Sequence, residues 1–113
     1  MERLDLIALT SQVGTSCYRE INGKKVYDFK RVVITVNNPD GSKKKYIIVR
    51  EACRSDRFMH HIETYTIPAE TFWYDEKRNK RWTWYNTDEH FASKLNKLSR
   101  EIAKTNHEIR VFD

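Results

Sequence analysis

Phe91, Leu95, Leu98 and Ile102 fall at intervals of four, three and four residues, a spacing that lines one face of an α-helix, while Lys94, Lys97, Arg100 and Lys104 lie elsewhere on the turn. No other stretch carries so long an apolar stripe of helical period. Thr87 has the character of an N-cap, and Asp88 and Glu89 follow in the first turn, where the helix dipole favours negative charge. Asn106 or His107 is expected to close the helix, which leaves Ile109, Val111 and Phe112 for a short final strand. A helix with one apolar face must bury it, and the rest of the chain offers a sheet for it to cover.

Upstream, turn signals cut the chain into short β-prone segments. Leu4–Leu9 alternates as a strand covered on both faces would. Asn22-Gly23 supplies the positive φ angles of a two-residue hairpin, so Thr15–Glu20 is expected to pair with Val26–Arg31. The run Asn37-Asn38-Pro39-Asp40-Gly41-Ser42 is a second turn, between the β-branched segment Val26–Val36 and Lys45–Arg50. Between Glu51 and Ile67 the periodicity is mixed, which suggests a loop or short helix and then a strand ended by Pro68. Thr71–Tyr74 and Arg81–Tyr85 read as a further hairpin around Asp75–Lys80. The expectation is an α+β fold: a curved antiparallel β-sheet built from hairpins, packed by one long C-terminal α-helix, with a short final strand.

At 113 residues the chain suits a single domain, 1–113. Charged residues reach 33%, yet five Phe, six Tyr and three Trp supply enough buried area for a core. The longest apolar runs, Leu6–Leu9, Val32–Val36 and Tyr46–Val49, fall far short of the roughly 20 residues of a membrane-spanning helix, so no membrane association is expected. Glu2 and Asp5 interrupt the opening where a secretory leader would be apolar, and a cytoplasmic location is the expectation. Cys17 and Cys53 lie outside any metal-ligand spacing and read as reduced, buried thiols, with a single bridge left open. Twenty-one Lys and Arg against 16 Asp and Glu give +5 at pH 7, a charge that favours an anionic partner.

The aromatic and cationic residues are placed unevenly. Residues 72–85 gather all three Trp, and with them Lys77, Arg78, Lys80 and Arg81. Strand alternation sets Trp82 and Trp84 on one sheet face and Tyr85 on the other. With Trp73, these rings are candidate platforms for unpaired bases, and the four cations would meet phosphates. Lys43, Lys44 and Lys45 form a second basic cluster beside a hairpin turn, with Lys24, Lys25, Lys30 and Arg31 nearby in sequence. The expected function is therefore binding of single-stranded DNA or RNA through an aromatic and basic hairpin. The same residues also admit a plainer reading, in which the aromatics are cross-strand core pairs and the lysines guard a sheet edge.

Two further readings stay open. A Trp-rich hairpin also anchors protein interfaces, and a short basic chain dense in Lys, Asn and Tyr fits a virus-encoded interaction or inhibitor protein that binds a host complex. A metal-independent nuclease would take His60, His61 and Glu63 as acid and base, with Arg54 or Arg57 on the phosphate. Adjacent histidines on a strand point to opposite faces, so only one of them enters a given site. No cofactor or metal is expected, His90 and His107 read as structural, and exposed sheet edges leave room for a homodimer.

Overall fold

In the computed structural model, which describes residues 4–51, 60–69, 80–85 and 87–113, the chain opens with a helix where the sequence pattern suggested a strand. Helix α1 (Leu6–Gln12) is capped by Asp5, whose side chain accepts from the Ala8 N–H at 3.1 Å. Leu6–Leu9 is too short for its periodicity to choose between helix and strand, and the cap decides it. Thr10 and Ser11 then donate their hydroxyls back to the carbonyls of Leu6 and Ile7, at 2.6 and 2.7 Å.

Strands β1 (Cys17–Ile21) and β2 (Lys24–Asp28) form the first hairpin, turned by Asn22 and Gly23 at φ 51 and 78. Strands β3 (Arg31–Asn37) and β4 (Lys43–Val49) form the second, and β5 (His60–Ile67) stops before Pro68. Strand β6 (Arg81–Tyr85) pairs with β5, placing Tyr85 opposite His60 and Arg81 opposite Thr64. The expected partner segment Thr71–Tyr74 lies outside the described residues. Helix α2 (Asp88–Ala103) is capped by the Thr87 side chain, and β7 (Asn106–Phe112) returns antiparallel to β3. Among the described residues the main sheet has five strands, in the order β6-β5-β4-β3-β7.

Helix α2 ends before Asn106 and His107, which open β7 and do not close the helix. Thr105 is the cause: both its N–H and its hydroxyl bond to the Ile102 carbonyl, at 2.9 and 2.6 Å. The chain is then free to extend, and the final strand starts earlier than Ile109.

Alternation along the strands gives the sheet two apolar faces. One buries Val32, Ile34, Ile48 and Ile62 under Phe91, Leu95, Leu98 and Ile102 of α2, with Leu6 of α1. The other holds a smaller cluster of Ile47, Val49 and Tyr65, against which Phe29 and Val33 pack. The two helices are joined through Ser99, whose Oγ accepts the Leu6 N–H at 3.0 Å and donates to the Leu95 carbonyl at 2.7 Å. No described helix is long and apolar enough to cross a membrane.

Candidate nucleic-acid interface

The register of β5 against β6 sets Trp82 opposite Glu63 and Trp84 opposite His61, all on the face away from the helices. The two indole rings are stacked with centroids 5.8 Å apart and planes 14° apart. They rest against His61 at 4.9 and 4.7 Å, and 48% and 46% of their area stays exposed. Two large rings held half in solvent on a strand are a poor use of apolar area unless something lies on them.

A cavity of about 1040 Å³ runs along this face, from the Trp pair on β6 to Phe112 on β7, with Tyr18 and Tyr27 of the first hairpin on its wall. Its lining carries five cations, Arg31, Lys43, Lys45, Lys80 and Arg110, against three carboxylates, so the cavity favours an anion. Several of those cations lie on rings. The Arg31 guanidinium stands 4.7 Å from the Phe29 ring and 4.1 Å from that of Phe112, Lys45 is 5.7 Å from Tyr65, and Lys80 is 5.2 Å from Trp82.

The floor is ionisable and buried. His61 is 1% exposed and Glu63 2% exposed. His61 Nε2 faces Glu63 Oε1 at 3.4 Å, and its Nδ1 faces Glu51 Oε1 at 3.7 Å. Among the described residues neither ring nitrogen has a hydrogen-bond partner. Glu51 takes a short hydrogen bond from the Tyr27 hydroxyl, whereas Glu63 meets Lys80 Nζ at 3.6 Å.

Of the residues singled out in the sequence, Lys43, Lys45, Lys80, Trp82 and Trp84 come together on this cavity. Lys44, opposite Val36 and Thr66, belongs to the helix-side face and lies over the Tyr46 ring at 5.2 Å. Arg81 and Tyr85 share that side by alternation, and Tyr85 packs on Phe91 with ring centroids 5.7 Å apart. Burial there raises the Tyr85 hydroxyl pKa above its ordinary value of 10.0. Trp73, Lys77 and Arg78 lie outside the described residues, as do Arg54, Arg57 and Cys53.

His60 points away from His61, as strand alternation requires, and is held by Asp88 at 3.0 Å from its Nε2 and by the Glu51 N–H at 3.3 Å from its Nδ1. The Cys17 thiol is free, and among the described residues no group of His, Cys, Asp and Glu could hold a metal ion. Reading the sequence by local clusters missed Tyr27, Glu51 and Arg110. His61 and Glu63 carry a signal in their i, i+2 spacing, since both fall on the Trp face once β5 is taken as a strand. Comparison with protein-family models, with curated proteins and with solved structures finds no match to this chain.

Proposed function

We propose that the helix-free face of the sheet binds single-stranded nucleic acid, with bases stacked on Trp82 and Trp84 and phosphates on Lys43, Lys45 and Arg110. The observation that carries the reading is the parallel, half-exposed Trp pair on a cavity whose lining is mostly cationic among its charges. Single strands fit better than duplex, because a flat aromatic platform is useful only to a base out of its stack. The test is fluorescence anisotropy on labelled single-stranded DNA, single-stranded RNA and duplex DNA across a salt series, with tryptophan quenching followed in parallel. Trp82→Ala is expected to weaken single-strand binding by about 5- to 150-fold, the equivalent of one lost stacking contact at about 1–3 kcal/mol. Unchanged affinity in folded Trp82→Ala and Trp84→Ala variants would remove the platform from the proposal.

A protein partner is the second reading, and its support lies on the first hairpin, of which Tyr18 also lines the cavity. Tyr18, Ile21 and Val26 of the β1–β2 hairpin are 63%, 49% and 45% exposed, more apolar surface than a two-stranded ribbon ordinarily leaves in water. Recovery of a stoichiometric, nuclease-resistant protein partner lost on Tyr18→Ala would favour it.

A further inference from the structure

Glu63 is the floor carboxylate that lies directly opposite the Trp82 platform. We infer that it reads the base stacked there, and that the base is guanine; this rests on the reading of the face as a nucleic-acid surface. Glu63 is 2% exposed yet lines the cavity. Its nitrogen partners among the described residues, His61 Nε2 at 3.4 Å and Lys80 Nζ at 3.6 Å, both stand beyond a good hydrogen-bond distance. Beside it His61, 1% exposed, has no hydrogen-bond partner on either ring nitrogen among the described residues. Buried polar groups are normally satisfied, and an unpartnered histidine beside a loosely held carboxylate leaves room for a ligand to supply the missing contacts.

The chemistry of a carboxylate selects among the bases. It accepts at two oxygens and donates nothing. Guanine alone presents two adjacent N–H donors on its pairing edge, N1–H and the exocyclic N2–H, which match the two oxygens as a bidentate pair. Adenine and cytosine place a ring acceptor beside their amino group, and uracil and thymine flank a single N–H with two carbonyls. Each of those lone pairs would face the carboxylate. Lys80, whose Nζ is 3.6 Å from Glu63 Oε2 and 5.2 Å from the Trp82 ring centroid, supplies the donor that guanine O6 requires next to N1.

The experiment measures anisotropy with the full chain and an oligothymidylate carrying one central guanine, hypoxanthine, adenine or cytosine. Guanine is expected to bind about fivefold or more tighter than adenine or cytosine, with hypoxanthine, which lacks the N2 amino group, in between. Glu63→Gln is expected to erase the preference and to bind plain oligothymidylate at least as tightly as the parent, since a lone pair no longer faces a carboxylate, with circular dichroism reporting that the variant is folded. Equal binding of all four centres by the unaltered protein overturns the inference and leaves the single-strand reading intact. Equal binding of guanine and hypoxanthine overturns the bidentate contact, and a guanine preference that survives Glu63→Gln overturns the assignment to Glu63. Absence of binding to every oligonucleotide at low salt overturns the nucleic-acid reading itself.

Discussion

Ser99 is the polar residue set inside the apolar face of α2, and its place there is explained by a single buried donor. Its Oγ accepts the Leu6 N–H at the first turn of α1, 93 residues away in sequence, at 3.0 Å. Ser99→Ala leaves that N–H without an acceptor in a buried place, and a loss of about 1–3 kcal/mol is expected in urea unfolding. An unchanged midpoint would mean that Leu6 finds another acceptor. Asp40 acts in the same manner at the surface. The Ser42 hydroxyl and then the Ser42 N–H bond to its carboxylate at 2.6 and 2.9 Å, and these hold its pKa below the ordinary 3.8. A carboxyl lowered on folding stabilises the fold above pH 3.8, and that stabilisation is lost as pH falls through the lowered folded value. Thermal melts of the parent and Asp40→Asn should therefore differ near neutrality and converge in strong acid. A difference that persists unchanged at the lowest pH would place the effect of the variant outside the carboxylate.

At the level of elements, legibility followed the length of the pattern. Helix α2 spans 16 residues and its stripe is buried as its spacing predicts, and the turns at Asn22-Gly23 and residues 37–42 define the two hairpins because positive φ has few alternatives to Gly and Asn. Leu4–Leu9 failed as a strand, and Leu6–Gln12 is a helix, because so short a run cannot establish a period, while a side chain one position outside the element can cap it. Asp5→Ala tests that account. It is expected to cost about 0.5–2 kcal/mol and to increase hydrogen exchange at Ala8 before the amides of the sheet. Exchange that rises equally everywhere would mean that α1 opens only with the whole fold. The end of α2 was misplaced for a related reason, since the two Thr105 bonds to Ile102 terminate it before either residue that resembled a cap.

At the scale of the whole molecule, the site depends on which face each residue takes, and linear clustering hides that. Lys43, Lys44 and Lys45 are one basic run in sequence, yet the sheet sends the outer two to the cavity and Lys44 to the opposite side, over Tyr46. Arg110 reaches the same cavity only because β7 returns to pair with β3 after the helix, a contact between distant parts of the chain that no local pattern announces. Tyr27 and Glu51 meet on the wall for the same reason. The division of the lysine run gives the sharpest test of the proposed surface. Each phosphate contact to a single strand contributes about 0.7 to the slope of log affinity against log salt, through release of condensed counterions. The Lys43→Ala, Lys45→Ala double variant is therefore expected to flatten the slope by about 1.4, whereas Lys44→Ala, the same change of residue type between them, leaves it as in the parent. Trp82→Ala should lower affinity at every salt concentration with the slope preserved, since stacking releases no counterions. If Lys44→Ala flattens the slope as much as either neighbour, the strand does not run along this face, and the charge acts only through the field of the whole protein.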